Sequence, residues 1–284
     1  MKKRSTKEIK LQAKKALQGH VGTVLLGLLA VYGLNMLGTI LSTNLFSGTS
    51  PLDLVLSEVF MLVVSLIVGI ISAGFGYMLL NISRGKEFSL GDLGYFFKNQ
   101  PDRVIIAGFV LAVIQIVTAI PYYYVSFTTD PGLTVDSQIK WLSMTLGLLA
   151  VSTLLNFLIS LPFAMTYFLM ADDTELGGLQ ALKESARLMK GNLWRYVKLN
   201  LSFVPLLLLS VFTFYIALFW IMPYMEMSMV AFYRDLDGEL DYRLPGNEGF
   251  GSFHNWTNDS GDGYDTENND GYRNDSKDDY NSEA

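Results

Sequence analysis

Long runs of apolar residues constrain this chain more than any other feature of its sequence. Four runs, at 21–41, 55–80, 104–125 and 141–170, are long enough for a helix that crosses a bilayer, which needs about 20 apolar residues. Only 17% of the residues are charged, against roughly a quarter in an average soluble domain. The sequence therefore predicts an all-α, multi-pass integral membrane protein.

The charges in the connecting loops predict the side of the membrane that each loop occupies. Loop 42–54 contains no Lys or Arg and loop 126–140 contains one, whereas loops 81–103 and 171–198 contain four and five. Cytoplasmic loops of membrane proteins carry the excess of Lys and Arg. The N-terminus and both basic loops are therefore expected on the cytoplasmic side of the plasma membrane.

The last apolar stretch, residues 199–233, is too long for one ordinary span. It contains a single charged residue, Glu226, and as one helix it would extend about 52 Å, whereas the hydrocarbon core is ~30 Å thick. The stretch is therefore either one long span with an interfacial extension or two short spans joined by a tight turn near Phe212–Ile216.

A repeated amphipathic segment favours the two short spans. Such segments occur at 6–20, 89–99 and 178–192, and two spans follow each of the first two. If each repeat is a surface helix followed by a helical hairpin, the third segment also precedes two spans. We therefore predict a transmembrane helical bundle of six spans, with five as the alternative. Six spans place the C-terminal tail in the cytoplasm.

The two ends of the chain have opposite charge. Residues 1–20 carry seven Lys or Arg and one Glu, and they are expected to form an amphipathic helix on the anionic cytoplasmic leaflet. Residues 234–284 carry four basic and 14 acidic residues, with much Asn, Gly and Ser, and are predicted to be disordered. The predicted organisation is a basic arm at 1–20, a transmembrane domain at 21–233 with surface helices near 89–99 and 178–192, and an acidic tail at 234–284.

The residue types required for most enzyme chemistry are missing. The chain has no cysteine, and its two histidines, His20 and His254, lie near opposite ends. These counts exclude thiolate catalysis and argue against a histidine-based metal cluster or catalytic triad. The sequence indicates no catalytic residue, no cofactor or metal site and no nucleic-acid-binding module. We therefore expect a protein that is not an enzyme.

Two groups of residues are candidates for binding. Lys183, Arg187 and Lys190 form a basic stripe on the predicted helix 178–192, and Arg84 follows the second span. These cations are expected either to anchor the protein to anionic headgroups or to bind a partner protein. Glu226 is the candidate intramembrane polar site, because a carboxylate at membrane depth is costly and usually functional.

Several short motifs resemble a known family. They are Ala13-Lys14 and Gly19, Asn81-Ile82-Ser83-Arg84-Gly85, Ala171-Asp172-Asp173, Ala181-Leu182-Lys183-Glu184-Ser185, Arg187-Leu188-Met189-Lys190-Gly191, Leu199, Leu201-Ser202-Phe203, Pro223-Tyr224 and Phe232-Tyr233. Over residues 1–235 the chain resembles the Gram-positive bacterial membrane proteins of domain-of-unknown-function family 975. The resemblance implies a polytopic plasma-membrane protein without an assigned reaction, and it adds no catalytic residue.

Two functions follow as expectations. The first is a non-enzymatic accessory or scaffold protein that binds a partner protein or anionic lipid through its basic cytoplasmic face. The alternative is a small-solute or lipid transporter, or the permease component of one, which the repeats, the prolines and Glu226 favour.

Overall fold

The computed structural model describes residues 3–47 and 50–242, and the regular elements of these residues are all helical. The α-helices are α1 (Thr6–Leu17), α2 (Val21–Leu45), α3 (Pro51–Arg84), α4 (Tyr95–Lys98), α5 (Pro101–Thr128), α6 (Val135–Ser160), α7 (Thr166–Asp172), α8 (Gly178–Met189), α9 (Leu193–Leu201), α10 (Val204–Phe212), α11 (Leu218–Leu236) and α12 (Glu239–Tyr242). Two short 3₁₀ helices, Leu90–Gly94 and Leu161–Phe163, lie between them. The all-α class predicted from the sequence is confirmed.

Five segments of the described chain are long and apolar enough to cross a membrane. They are Val21–Leu45, Leu52–Arg84, Pro101–Ser126, Val135–Asp172 and Leu193–Phe212. The first four correspond to the four apolar runs of the sequence. The fifth is the first half of the ambiguous last stretch.

The four longest helices pack side by side in the order α2, α3, α5, α6. Most of their large apolar side chains far from α1 and α8 are exposed, as expected for surfaces that face lipid. Polar groups join neighbouring helices. Ser42 and Ser57 share a 2.8 Å hydrogen bond, Tyr123 donates to Glu58 at 2.6 Å, and the Asn156 amide lies 3.2 Å from the Thr118 hydroxyl.

The hydrophobic core lies at one end of the row of four long helices. There α1, α7, α8 and α11 pack against the long helices. We call this the basic end, because the guanidinium groups of Arg84, Arg103, Arg195 and Arg234 are all found there. Its core contains the fully buried aromatic side chains Phe96, Phe203, Phe232 and Tyr233. The fold is thus held together mainly where its charges are concentrated.

Helix α1 begins at a capping box formed by Ser5 and Glu8. The surface-helix prediction implied that the apolar face of α1 points outward toward lipid. In the structure this face points into the protein. Ile9, Ala13 and Leu17 are buried, mainly against α11 and α3. The amphipathic pattern was recognised correctly, but the pattern alone does not distinguish an apolar partner helix from a lipid surface.

The predicted helix over 89–99 is only partly helical. Residues Leu90–Gly94 form a 3₁₀ helix, and a single α-helical turn follows at Tyr95–Lys98. The segment lies so close to α3 that a Cβ atom added at Gly74 would come within 2.3 Å of the Leu93 carbonyl oxygen. Only a glycine on α3 permits this approach.

The last apolar stretch turns back on itself close to the position of the predicted tight turn, but only its first half is among the candidate spans of the described residues. Helix α10 ends at Phe212 and α11 begins at Leu218, so the turn covers residues 213–217. Phe214 and Tyr215 adopt positive φ values of 49° and 64°. The sequence did not decide whether a turn was present, because these aromatic residues are not the usual choice for a left-handed conformation.

The folded domain extends beyond the predicted boundary at residue 233. Helix α11 continues to Leu236, and α12 covers Glu239–Tyr242. The prediction placed these residues in the tail because of their acidity, but Asp235, Glu239 and Asp241 are ion-paired with arginines of the domain. The rest of the predicted disordered tail, 243–284, lies outside the described residues.

Candidate functional site at the basic end

Arg84 lies at the centre of a buried cluster of charged groups. Its side chain is 9% exposed, and its guanidinium donates two hydrogen bonds to Asp172, at 2.6 and 2.9 Å, and two to Glu239, at 3.0 and 2.8 Å. Tyr233 donates to the same Asp172 carboxylate at 3.0 Å. We expected Arg84 to bind a lipid headgroup or a partner. In the structure, two carboxylates of the chain itself occupy the guanidinium.

Arg234 extends this cluster to the end of α3. It donates to Glu239 at 2.9 Å and to the carbonyl and hydroxyl oxygens of Ser83 at 2.7 and 2.6 Å. Glu239 therefore binds two arginines, one from α3 and one from α11. The last turn of α3, the end of α7, the end of α11 and α12 are joined by charge-assisted hydrogen bonds.

A second buried cluster connects the N-terminal arm to the last two long segments. Asp235, whose side chain is 1% exposed, accepts hydrogen bonds from Arg4 of the arm and Arg195 of α9. Arg4 also binds the Asp241 carboxylate at 2.9 Å and the Leu240 carbonyl at 2.7 Å. The arm, the start of α9 and the end of α11 consequently lie at the same end of the molecule.

Arg103 is buried but serves a different purpose. It donates to the carbonyl oxygens of Asp173 and Thr174, at 2.9 and 2.7 Å, just after α7 ends. A cation at this position satisfies carbonyl groups that have no partner within their own helix. Although Arg103 counts toward the positive charge of its loop, it is an internal structural residue.

Glu239 makes the stability of the cluster depend on pH. Burial alone would raise the pKa of this carboxyl group, but hydrogen bonds from Arg84 and Arg234 outweigh burial and lower the pKa below its ordinary value. The ionised form is thus favoured in the folded state. The resulting stabilisation is present above the unfolded-state pKa and is lost as the pH falls through the folded-state pKa.

We therefore expect Glu239→Gln to lower thermal stability at pH 7, with a smaller difference from the wild type at pH 4. Melting temperatures in mild detergent at both pH values measure the effect. Glu87→Gln is the matched control, because Glu87 is exposed, and its melting temperature should follow the wild type throughout. A Glu239→Gln deficit that is equally large at pH 4 would show that the charge of Glu239 is not responsible.

Helix α8 carries the predicted basic stripe and is attached firmly to the rest of the protein. Ser185 accepts a hydrogen bond from the Met165 backbone at 3.1 Å and donates one to the Pro162 carbonyl at 2.8 Å. At the start of α8, a Cβ atom added to Gly178 would lie 2.1 Å from the Arg103 carbonyl oxygen. The buried side of α8, which includes Leu182 and Met189, therefore packs on protein and is not available to lipid.

The basic stripe faces outward from this anchored helix. Lys183, Arg187 and Lys190 are all exposed. Arg187 pairs with Glu184 of the preceding helical turn at 2.7 Å, and the Arg187 side chain remains 60% exposed. Lys183 and Lys190 have no hydrogen bond or ion pair with any residue of the described ranges 3–47 and 50–242. The three residues lie on the exposed side of one helix, whereas Arg84 lies in the buried cluster.

Arginines and lysines are divided between the interior and the surface. Among the described residues, five of the six arginines bind carboxylates or carbonyl groups inside the fold, and Arg187 is the exception. Ten of the eleven described lysines are exposed, and Lys10 is the exception. The planar guanidinium suits buried pairs, whereas an ammonium group is strongly hydrated. The surface charge of the basic end is therefore carried mainly by lysines.

Glu226, the predicted intramembrane site, lies on α11 and is partly buried. No hydrogen bond or ion pair joins its carboxylate to another residue of the described part of the chain. It is close enough to Tyr32 and Tyr196 to interact electrostatically with both phenol groups. The structure thus brings Glu226 near two tyrosines, and it does not bring Glu226 near the basic stripe.

A cavity of about 400 Å³ lies between α3, α5, α6 and α7. Gln115, Asn156, Tyr167 and Tyr196 contribute polar groups to its wall, and the remainder is largely apolar. Within the described residues, the Gln115 amide and the Tyr167 hydroxyl have no hydrogen-bond partner. The cavity is the second place where the protein could accept a ligand.

A comparison with protein families gives one match. The model of the protein family of unknown function DUF975 matches residues 1–239. The chain belongs to this family. No curated protein and no solved structure matches it. The DUF975 match ends at Glu239, the residue that binds Arg84 and Arg234, so the matched region includes all the charged groups of the first cluster.

Sequence analysis of this DUF975 protein missed the acidic partners of its arginines. Asp172 is not among the predicted site residues, and Asp235 and Glu239 lie within the predicted tail at 234–284. The available signal was positional, because Arg84, Asp172, Arg195 and Asp235 each border a long apolar segment. Charges of opposite sign at the same level of adjacent helices are expected to pair when they are removed from water.

Proposed function

We propose that the protein is a non-enzymatic membrane scaffold that binds an acidic partner protein or anionic lipid headgroups through the basic stripe of α8. The observation that carries the proposal is that α8 buries its apolar side against protein while Lys183, Arg187 and Lys190 remain exposed. If the helix served only to anchor the chain in lipid, its apolar side would be needed on the outside.

The remaining charge distribution supports the same proposal. The internal arginines bind carboxylate or carbonyl oxygens of the chain itself, so they hold the surface helices in place and contribute little to binding. Exposed lysines on α1 and α4, such as Lys14, Lys15 and Lys98, surround the basic end. We place this end on the cytoplasmic side of the plasma membrane, because positive charge accumulates on that side.

A triple variant tests the stripe directly. We expect Lys183→Gln/Arg187→Gln/Lys190→Gln to weaken binding by roughly 100-fold at low salt, because each basic residue near an anionic surface contributes about 1 kcal/mol. The measurement is purification from native membranes in mild detergent, with mass spectrometry of the proteins and lipids that remain bound.

The matched control removes the same charge elsewhere on the basic end. Lys14→Gln/Lys15→Gln/Lys98→Gln also replaces three exposed cations, and it should retain most of the bound material. Loss of a stoichiometric protein in the α8 variant alone would identify a partner, and selective loss of anionic lipid would identify headgroups. Unchanged recovery in the α8 variant would remove the proposal.

The alternative function is a small-solute or lipid transporter, and the polar cavity favours it. Unpartnered Gln115 and Tyr167 side chains could bind a polar solute or a headgroup inside the membrane domain. Glu226 lies near Tyr196, which lines the same cavity. Substrate flux in proteoliposomes that falls in Glu226→Gln and is unaffected by the α8 variant would support transport in place of the scaffold.

A further inference from the structure

We propose that α10 and α11 form a re-entrant hairpin whose tip contacts lipid acyl chains near the middle of the bilayer. On this proposal the chain crosses the membrane four times, with α2, α3, α5 and α6. The segment Leu193–Phe212 has the composition of a fifth span, but it enters the membrane only partway and α11 returns to the basic end.

The buried ion pairs exclude an odd number of membrane crossings by the segment that contains α9, α10 and α11. Arg195 in the first turn of α9 binds Asp235 in the last turn of α11. Arg4 of the N-terminal arm binds the same Asp235 carboxylate. The segment between residues 195 and 235 therefore begins and ends on one side of the membrane, so it crosses either twice or not at all.

The lengths of the two arms decide between these possibilities. Lys10 contacts both arms, because its ammonium donates to the Ser202 carbonyl at 3.0 Å and its carbonyl accepts from the Tyr224 hydroxyl at 3.3 Å. We place this level near the headgroups, because an ammonium group is costly in hydrocarbon. From Ser202 to Phe212, and from Phe214 to Tyr224, a helix rises about 15 Å. This rise is half of the ~30 Å hydrocarbon core, so neither arm can reach the other surface.

The packing against α2 gives the same depth. Phe214, Tyr215 and Phe219 line an open apolar groove of about 350 Å³ together with Leu28 and Tyr32 of α2. Tyr32 is close to the middle of the 25-residue helix α2. The tip of the hairpin therefore lies beside the centre of a full-length span, not beside its far end.

The backbone N–H groups of the tip are suited to an environment without water. Every backbone N–H from Thr213 to Leu218 has an acceptor within the hairpin. The acceptors are the carbonyl oxygens of Ser210 (twice), Val211, Thr213 and Tyr215, and the Thr213 hydroxyl, which accepts from Ala217. Each unsatisfied N–H group costs several kcal/mol in hydrocarbon, so this pairing favours a position at membrane depth.

The side chains of the tip indicate that its surroundings are hydrocarbon. Phe212 and Phe214 are 83% and 88% exposed, and Tyr215, Ile216 and Trp220 are also largely exposed. A turn in water would place Gly, Asn or Asp at its two positive-φ positions, because these residues adopt that conformation at lower cost. Here Phe214 and Tyr215 occupy them. A tip in hydrocarbon has to be apolar, and this requirement explains why aromatic residues occupy the two positive-φ positions.

The natural absence of cysteine makes the proposal directly testable in the full chain. Single variants Phe212→Cys and Ile216→Cys report on the tip, Ser47→Cys on the loop after α2, and Glu87→Cys on the loop after α3. Each is treated with a membrane-impermeant maleimide in sealed vesicles of either orientation. We expect labelling of the tip cysteines to be at least about tenfold lower than at both reference sites, because the reactive thiolate is costly to form in hydrocarbon.

Detergent should restore reaction at the tip, which shows that the thiol is intact. A spin label at position 216 gives an independent measurement of depth, and we expect oxygen to relax it more strongly than a polar nickel complex. Labelling of the tip from the Ser47 side would establish two further crossings, and labelling from the Glu87 side would place the tip in water. Either result would overturn the proposal, whereas it would leave the role of the α8 stripe unaffected.

Discussion

Arg84→Met is expected to destabilise the protein by about 3–5 kcal/mol, the usual cost of removing one partner from a buried ion pair. The substitution keeps much of the side-chain volume but leaves Asp172 and Glu239 without their shared guanidinium. Arg234 still binds Glu239, whereas Asp172 retains the neutral Tyr233 hydroxyl. We expect the melting temperature in mild detergent to fall by roughly 6–20 °C.

Arg187→Met provides a matched control with the same change of residue type. Arg187 is also paired with a carboxylate, but its side chain is 60% exposed. Exposed pairs contribute about 0–1 kcal/mol, so the melting temperature should change little. If Arg84→Met were as stable as Arg187→Met, the buried cluster would not hold the basic end together.

Gly178→Ala is expected to destabilise the attachment of α8 by about 1–3 kcal/mol, the typical cost of overpacking. The added methyl group would lie 2.1 Å from the Arg103 carbonyl oxygen and 3.1 Å from the Ala107 backbone nitrogen. Backbone atoms of a long helix cannot move aside as a flexible side chain can. We expect a lower melting temperature and faster proteolysis in the segment around α8.

Gly33→Ala is the control for this effect. Gly33 lies within α2, and a Cβ atom added there meets nothing within 4 Å. Because alanine favours the helix over glycine by about 1 kcal/mol, the control should be unchanged or slightly more stable. Equal destabilisation in both variants would indicate that the close approach between α8 and α5 is unimportant.

The sequence predicted the four long apolar helices, because hydropathy and span length are properties of short local segments. Its preferred count of six spans differs from the five candidate segments of the described chain. The basic stripe of α8 was predicted as well, from residues spaced three or four positions apart. The sequence also predicted that the N-terminal arm and the end of the domain lie on one side, and the ion pairs of Asp235 with Arg4 and Arg195 place them together.

The errors concern contacts between distant segments. Arg84 and Asp172 are 88 positions apart, and Arg84 and Glu239 are 155 apart. An amphipathic helix such as α1 shows that it has an apolar side, but not whether lipid or α11 covers that side. The acidity of residues 235–241 suggested a solvated tail, whereas the arginines that neutralise these residues lie elsewhere in the chain.

Photo-crosslinking from α8 tests the central claim most directly, namely that the anchored helix presents a binding stripe. Leu179 is 62% exposed and precedes Lys183 by one helical turn, so a photoreactive amino acid at position 179 lies beside whatever binds the stripe. The same amino acid at position 133, a fully exposed site in the loop between α5 and α6, is the control. Both variants are irradiated in native membranes.

The proposal predicts one discrete adduct at position 179, either a protein or an anionic lipid, that is absent at position 133. The adduct should disappear at high salt and in the Lys183→Gln/Arg187→Gln/Lys190→Gln background, because the interaction is electrostatic. No adduct at position 179, or an adduct that persists without the three cations, would contradict the account.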